Sequence, residues 1–355
     1  MRVAIVYDRV NKWGGAERVL LALHEIWPEA PLFTAVYDKK KTVWADVFDV
    51  KPSFLRNLPH EFLPWATPIA FETFNFDAFD IVISVTSAEA KNIITKPNVV
   101  HICYCLTPTR YLWSARKEYE ASGVEGSMLR ILAPRLRKWD LVAASRPDYY
   151  IAISNTVKKR VETYYHREVT SVIYPPVDTE KFKTNKTGDY FLTVSRLVGY
   201  KRVDLLIDAF NKLGWPLVIV GEGRDKARLK DRAAKNIRFV GAISEEELVK
   251  YYQGCRAFVY AGVEDFGIAA VEAQAAGKPV VAFKQGAMAE IVISGKTGEL
   301  FERQSGQSIT EALKKVRSRW YDSVLCRENA ERFSRARFVR EMKETVARLY
   351  NKKTV

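Results

Sequence analysis

The stretch from Ala257 to Pro279, AFVYAGVEDFGIAAVEAQAAGKP, indicates the fold of the second half of this 355-residue chain. Its first four residues form an apolar run that is typical of a buried strand. A loop follows, and a helix is predicted over Phe266–Ala276, which Gly277 and the proline then stop. The stretch therefore predicts one strand–loop–helix unit of an α/β domain.

Two glutamates flank the start of this helix. Glu264 lies in the loop, and Glu272 lies about two turns into the helix. The backbone N–H groups near Gly267 and Ile268 are free at the helix start, where partial positive charge gathers. Because such a helix start binds hydroxyls or phosphates readily, the arrangement favours a phosphorylated sugar as ligand.

Short β-branched runs alternate with helical stretches along the whole chain. This alternation predicts an α/β fold with two doubly wound, Rossmann-like domains whose parallel sheets carry helices on both faces. Ligands of such sheets bind beyond the carboxyl ends of the strands, so we expect the domains to face a cleft. The predicted strands are Val3–Tyr7, Leu32–Val36, Ile81–Val85, Val99–Cys105, Tyr150–Ile153, Val172–Tyr174, Tyr190–Val194, Leu217–Val220, Ile237–Val240, Ala257–Tyr260 and Pro279–Phe283.

A hinge is expected at Tyr174–Asp178 because this segment carries two adjacent prolines and a polar stretch follows it. The expected domains are residues 1–178 and 179–334. Helices are predicted near 307–319 and 327–349. The C-terminal segment, about 335–355, is expected to pack back on the first domain.

The formal net charge of +14 points to an anionic partner such as a nucleotide, a nucleic acid or an acidic membrane surface. Nucleic acid is the poorer choice because the cations are spread out and no recognised nucleic-acid module appears. No apolar run approaches the roughly 18 residues of a membrane-spanning helix. We expect a cytoplasmic protein whose four cysteines are reduced and buried.

Several loops are candidates for binding a nucleotide sugar. Gly14 and Gly15 open a predicted helix, and Arg196 and Lys201 follow a predicted strand, where two cations would neutralise a diphosphate. Gly221 and Val240 end two further strands, where glycine leaves room for a flat base or a ribose. Ordinary tight turns and a solvated loop explain the same residues, so these alternatives stay open.

Two stretches of the first half carry aromatic and cationic residues. Arg110, Tyr111 and Trp113 suit sugar stacking and phosphate contact on an acceptor side, although the aromatic rings would equally cap the core. His101, in an apolar strand, is interpreted as structural. The basic residues Arg130, Arg135, Arg137 and Lys138 alternate with apolar ones, as on a helix that lies on an anionic membrane or packs one face on the core.

Taken in order, these segments resemble the retaining glycosyltransferases of family 4, which have the GT-B fold. The resemblance runs from Asp8 to about Phe301, and Glu264–Glu272 matches the family's Glu-x7-Glu element. Supporting matches are Gly14–Glu17, Arg196 with Lys201, Val220–Gly223 and Gly286–Glu290.

The resemblance implies roles for individual residues. Arg196 and Lys201 would hold the nucleotide diphosphate, Glu264 would contact the donor sugar, and Glu272 would bind the ribose. The amides of Phe266, Gly267 and Ile268 would meet the sugar hydroxyls. Arg196, Lys201 and Glu264 are therefore the expected catalytic residues, and neither a cofactor nor a metal ion is expected.

Within the family, the segments Cys103–Trp113, Arg146–Asp148 and Tyr174–Asp178 look like those of bacterial mannosyltransferases that build surface polysaccharides. The implied donor is GDP-mannose, and the implied acceptor is polyprenyl-linked or an oligosaccharide. One position departs from this pattern, because Leu106 stands where these relatives commonly have histidine. The alternative is therefore a catalytically weak sugar-nucleotide-binding subunit of a polysaccharide synthesis complex.

Overall fold

We examined a computed structural model that describes residues 1–56, 66–114, 116, 123–185 and 187–354. The chain divides into two compact units. Unit 1 comprises Met1–Tyr174 and Phe338–Val355, and unit 2 comprises Pro175–Arg337. The first boundary between the units therefore lies between Tyr174 and Pro175, at the start of the proline-containing segment Tyr174–Asp178.

Unit 1 is built on a seven-stranded parallel sheet with the order β3-β2-β1-β4-β5-β6-β7. Its strands are β1 (Val3–Val10), β2 (Leu32–Tyr37), β3 (Val50–Pro52), β4 (Ile81–Thr86), β5 (Val100–Cys105), β6 (Tyr149–Ala152) and β7 (Ser171–Val172). Its described helices are α1 (Gly15–Ile26), α2 (Ala66–Glu72), α3 (Gly123–Ala144) and α4 (Asn155–Tyr165).

Unit 2 has a six-stranded parallel sheet with the order β10-β9-β8-β11-β12-β13. Its strands are β8 (Phe191–Val194), β9 (Leu217–Val220), β10 (Ile237–Gly241), β11 (Ala257–Tyr260), β12 (Val280–Phe283) and β13 (Gly298–Phe301). Its described helices are α5 (Val203–Leu213), α6 (Lys226–Arg232), α7 (Glu245–Gly254), α8 (Ile268–Ala275), α9 (Met288–Ile291), α10 (Gly306–Ser318) and α11 (Ser323–Glu331).

Five inner strands, β4, β5, β9, β11 and β12, are buried along their length, as expected for parallel strands covered on both faces. Apolar helix faces complete each core. In unit 2, for example, Leu206 and Phe210 of α5 pack with Phe191 of β8 in one buried cluster. The prediction of two α/β domains with parallel sheets is confirmed.

Two strands were not predicted, and both lie at sheet edges. Strand β3 contains a proline, which edge strands tolerate because they need not donate on both sides. Strand β13 begins with Gly298 and Glu299, residue types that are depleted in strands. The residue composition of β3 and β13 therefore does not predict a strand. Both become strands because they pair with a neighbouring strand, β2 and β12 respectively.

The single helix predicted over 327–349 is wrong, because the structure has two helices there. Helix α11 ends at Glu331 and helix α12 (Arg335–Thr354) begins after a break. At the break, the backbone of Val177 donates to the carbonyl of Phe333 (3.0 Å) and accepts from the amide of Arg335 (3.0 Å). These contacts with a distant segment replace helical hydrogen bonds.

From Phe338 onward, α12 belongs to unit 1. The ring of Phe338 lies edge-on to that of Tyr104, with centroids 5.9 Å apart. Farther along, Lys353 forms an ion pair with Asp148 at 2.5 Å. The helix is therefore attached to unit 1 near both of its ends.

Among the described residues, no helix is both long enough and apolar enough to span a membrane. All four cysteines are free and buried, which confirms that prediction.

Candidate functional site

The strand order of unit 2 reverses between β8 and β11. From β8 the chain adds β9 and β10 on one side, and it then returns to place β11, β12 and β13 on the other. Loops that leave the carboxyl ends of two such strands diverge and leave a crevice, where open α/β sheets bind their ligands. The loops after β8 and β11 carry Arg196, Lys201 and Glu264.

An ion pair joins these two loops. Lys201, 63 residues before Glu264 in sequence, contacts its carboxylate through the ammonium group. The hydroxyl of Tyr260, the last residue of β11, donates to the same carboxylate oxygen. Only 12% of the Lys201 side chain and 17% of the Glu264 side chain are exposed. The ion pair is therefore held at the carboxyl ends of β8 and β11, and both side chains remain partly exposed to solvent.

Aromatic rings surround the Lys201 ammonium. It lies 5.0 Å from the ring centroid of Tyr200 and 5.6 Å from that of Tyr260. Both contacts are within the range of a cation–π interaction. Sequence analysis did not identify either tyrosine as a site residue, although an aromatic residue at a strand's carboxyl end gave a usable signal for Tyr260.

Arg196 lies on the same loop as Lys201, but it does not join the ion pair. Its guanidinium donates to the hydroxyl of Tyr200 at 2.6 Å, and its side chain is exposed. The loop after β8 thus carries Lys201, which is fixed by its ion pair, and Arg196, which faces solvent. Together they offer the positive charge that a diphosphate requires.

Two glycines allow close contact between backbone segments near the carboxyl ends of β8 and β11. Gly221 has a φ of +133°, and a Cβ there would lie 2.0 Å from the carbonyl oxygen of Ser195. Gly286 has a φ of +69°, and a Cβ would lie 2.3 Å from the carbonyl oxygen of Glu264. No other residue type fits these positions without moving the loops that carry Arg196 and Glu264.

Helix α8 begins one turn after Glu264, with Gly267 in a left-handed conformation before its first residue, Ile268. The ring of Phe266 is buried and packs against Phe333, with centroids 5.5 Å apart. Glu272 is 5% exposed within the helix. The buried ring of Phe266 therefore anchors the start of α8.

A backbone hydrogen bond connects the carboxyl ends of β9 and β10. The amide of Gly221 donates to the carbonyl of Gly241 at 2.9 Å, directly after Val240. This contact holds the two expected base-binding positions, Gly221 and Val240, side by side.

The other candidate residues, Gly14, Gly15, Arg110, Tyr111 and Trp113, lie in unit 1. Gly14 precedes α1 with a φ of −179°, so the backbone there does not require glycine. Three residues on, the buried Glu17 accepts a hydrogen bond from the hydroxyl of Tyr7 at 2.7 Å. Burial raises the pKa of Glu17, although the hydrogen bond opposes this effect.

The aromatic residues after β5 are largely held by the protein itself. The hydroxyl of Tyr111 donates to Glu89 at 2.6 Å, and Glu89 also pairs with Arg9 at 2.8 Å. The ring of Trp113 stacks on that of Tyr164 with centroids 5.3 Å apart. The geometry thus favours the interpretation that these rings cap the core of unit 1.

A buried ion pair supports this aromatic loop. The Lys91 ammonium contacts Asp140 of α3 at 2.6 Å, and both side chains are at most 5% exposed. Asp140 also accepts hydrogen bonds from Thr109 (2.7 Å) and the indole of Trp113 (2.6 Å). Burial lowers the pKa of Lys91, but the charge of Asp140 and its hydrogen bond outweigh this and raise it overall. Sequence analysis missed this network because its members lie far apart in the chain.

His101 is buried in β5, with its Nε2 atom 2.8 Å from the hydroxyl of Ser84. Burial lowers its pKa to about 3, and the charges of Lys353 and Arg146 act in the same direction. A histidine with a depressed pKa in the folded state stabilises that state above its unfolded pKa of about 6.5. Unit 1 should therefore lose stability as the pH falls from about 6.5 towards 3.

We expect the imidazole of His101 to remain neutral when the protein is titrated from pH 8 to pH 5. Proton NMR of the histidine ring signals measures this directly. Titration of the His101 ring within this pH range would contradict the burial argument.

Residues 176–334 match the family model of glycosyl transferases group 1. An uncharacterized glycosyltransferase of Methanocaldococcus jannaschii is 29% identical over 199 residues, covering 54% of this chain and 56% of that protein. The O-antigen chain mannosyltransferase C of Escherichia coli is 26% identical over 205 residues, covering 54% and 55%. The chain spans about half the length of the curated relatives it matches.

Solved structures resemble nearly the whole chain. A lipopolysaccharide outer core galactosyltransferase superposes with a TM-score of 0.71 and 19% identity, covering 98% of this chain and 99% of that one. Sucrose-phosphate synthase from Thermosynechococcus elongatus gives a TM-score of 0.75 at 16% identity, covering 99% and 100%. The two parallel-sheet domains thus have the fold of GT-B glycosyltransferases.

Proposed function

We propose that this chain, whose residues 176–334 match the glycosyl transferases group 1 family, is a retaining glycosyltransferase that uses a nucleotide-sugar donor. The observation that carries the proposal is the Lys201–Glu264 ion pair, held between β8 and β11 where the strand order reverses. Arg196 on the same loop adds a second cation. Two cations and a carboxylate beside a helix start suit a diphosphate joined to a sugar.

In this proposal, Arg196 and Lys201 bind the diphosphate and stabilise the negative charge that develops as it leaves. A diphosphate bound at the carboxyl ends of β8 and β11 contacts the Lys201 ammonium, which also remains paired with Glu264. The carboxylate of Glu264 contacts the donor sugar. Glu272 binds the ribose, and Gly221 and Val240 make room for the base. The acceptor attacks on the face from which the diphosphate departs, so the protein mainly aligns the reactants and supplies positive charge.

We further propose that the donor is GDP-mannose and that the acceptor is a polyprenyl-linked or oligosaccharide precursor of a surface polysaccharide. The likeness to an O-antigen mannosyltransferase supports this choice. A similar structure from Anabaena was solved with UDP-glucose, with a TM-score of 0.72, 19% identity and coverage of 98% of this chain and 100% of that one, so UDP-sugars are the natural comparison.

A donor panel of GDP-mannose, other GDP-sugars and UDP-sugars tests this proposal without knowledge of the acceptor. Both binding and slow hydrolysis would be followed. GDP-mannose should bind best and should be hydrolysed with release of mannose. Preferred binding of a UDP-sugar would overturn the donor assignment, and failure of every donor to bind would overturn the site.

The second candidate is a catalytically weak sugar-nucleotide-binding subunit of a polysaccharide synthesis complex. Leu106 favours it, because the mannosyltransferases that this segment resembles commonly carry histidine at this position. Leu106 follows β5, and its amide donates to the carbonyl of Thr86 at 2.8 Å, which fixes the backbone. Tight donor binding without transfer or hydrolysis would support this candidate.

Peripheral association with an anionic membrane is also proposed, through one face of α3. This α3 face is defined by five residues that lie on one side of the helix and are all exposed: Ile131, Arg135, Lys138, Trp139 and Val142. Ile131 is 73% exposed and Trp139 is 50% exposed. Apolar and cationic side chains on one helix face suit a bilayer that contains acidic lipids.

We expect the double variant Arg135→Glu/Lys138→Glu to weaken binding to vesicles of equal parts phosphatidylcholine and phosphatidylglycerol about tenfold or more. The matched control is Lys212→Glu/Lys296→Glu, which reverses the charge of two exposed lysines of unit 2. Cosedimentation measures the bound fraction. Equal losses for the variant and the control would show general charge attraction and would contradict a role for the α3 face.

A further inference from the structure

Two tryptophans of unit 1, Trp13 and Trp44, form a partly exposed aromatic pair. Their ring centroids lie 6.1 Å apart with the planes inclined by 51°, and Trp13 is 45% exposed. Trp13 directly precedes Gly14, which starts α1 after β1. The pair therefore lies beyond the carboxyl end of a central strand of the unit 1 sheet.

This position is where the unit 1 sheet would bind a ligand. The strand order of the sheet reverses between β1 and β4, so the loops that follow these strands diverge there. Asp8, near the end of β1, joins this strand to the end of β4 and to the loop after it, since its carboxylate accepts from the hydroxyl of Thr86 (2.7 Å) and the amide of Ala90 (2.8 Å). The loop that carries Trp13 therefore starts from a braced point.

The protein holds Trp44 in one orientation. Its indole N–H donates to the carbonyl of Lys12 at 2.9 Å, which links the short helix Val43–Val47 to the loop before α1. Its ring lies edge-on to the buried ring of Phe48, with centroids 6.4 Å apart. Trp44 thus contacts Trp13 from a fixed position, and 45% of Trp13 remains exposed.

From this arrangement we infer that Trp13, backed by Trp44, is a stacking platform for a pyranose ring of a glycan acceptor. Rigid aromatic side chains supply a large apolar surface for such a ring, while nearby polar groups provide orientation. The inference rests on the proposed glycosyltransferase function and adds an acceptor contact to those expected of Arg110, Tyr111 and Trp113.

A membrane surface is the competing occupant, because Val43 and Val47 are also exposed, by 71% and 53%. The local charges do not separate the two occupants, because exposed Lys39, Lys40 and Lys41 precede this short helix, whereas exposed Asp46 and Asp49 lie within and after it. The position of Trp13 favours the sugar, because loops at a reversal of strand order are where open α/β sheets bind their ligands.

The test measures binding of mannotriose and of methyl α-D-mannopyranoside to the full chain by saturation-transfer NMR and fluorescence titration. Trp13→Ala should weaken mannotriose binding about three- to tenfold, while Trp13→Tyr, which retains a ring, should bind nearly as well as the wild type. Trp320→Ala is the matched control, because Trp320 is 83% exposed in unit 2 and should not affect the sugar.

Unchanged mannotriose binding in Trp13→Ala, or no binding of either sugar by the wild type, would overturn the inference. So would loss of binding to phosphatidylglycerol vesicles in Trp13→Ala with mannotriose binding intact, because that result would assign the pair to a membrane. GDP-mannose and UDP-glucose binding by the wild type is measured in parallel. Absence of donor binding counts against the proposed function, whereas intact donor binding with insensitive sugar binding counts against the tryptophan pair alone.

Discussion

Replacing Lys201 with alanine is expected to slow the proposed sugar transfer from GDP-mannose by about 10²–10³-fold, the loss typical for one preorganised group that stabilises developing charge. The Lys201 ammonium is held by Glu264 and by the rings of Tyr200 and Tyr260, so its position is fixed before the donor arrives. The loss should appear mainly in kcat, because charge on the diphosphate increases as its bond to the sugar breaks.

Lys212→Ala is the matched control, since Lys212 is an exposed lysine of α5 in the same unit. Steady-state transfer or donor hydrolysis gives kcat and KM for both variants. Arg196→Ala should lower both nucleotide affinity and transfer, because its guanidinium faces solvent beside Lys201. Equal nucleotide affinity in wild type and Arg196→Ala would remove Arg196 from the site, and unchanged kcat in Lys201→Ala would remove Lys201.

Replacing Lys91 with alanine is expected to lower the free energy of unfolding of unit 1 by about 3–5 kcal/mol, because it leaves the buried carboxylate of Asp140 without its cation. Thr109 and Trp113 would still donate to Asp140, but neither neutralises its charge. Hydrogen exchange of the β5 amides reports on unit 1 alone, which matters because a chain with two units need not unfold in one step.

The control for this prediction is Lys96→Ala. Lys96 pairs with Asp77 at the same 2.6 Å, but the two side chains are 61% and 45% exposed, so the expected loss is at most about 1 kcal/mol. Asp140→Asn is a milder variant of the buried pair that retains an acceptor for Trp113. Similar losses for the Lys91 and Lys96 variants would show that burial does not govern the strength of the pair.

Local sequence patterns determined the fold class and most of the elements. Apolar runs of four to six residues predicted the central strands because these strands are buried on both faces. Helix α7 starts with a capping box between Ser244 and Glu247, and both partners lie within one turn. Such features depend on near neighbours in the chain, so the sequence alone specifies them.

Only the tertiary structure decided features that join distant segments. It paired Lys201 with Glu264 and Lys91 with Asp140, it divided the C-terminal helical stretch where Val177 contacts its backbone, and it added the edge strands β3 and β13. In each case the stabilising partner comes from elsewhere in the chain. Residue spacing along the sequence does not encode such a contact, because chain folding determines which distant groups meet.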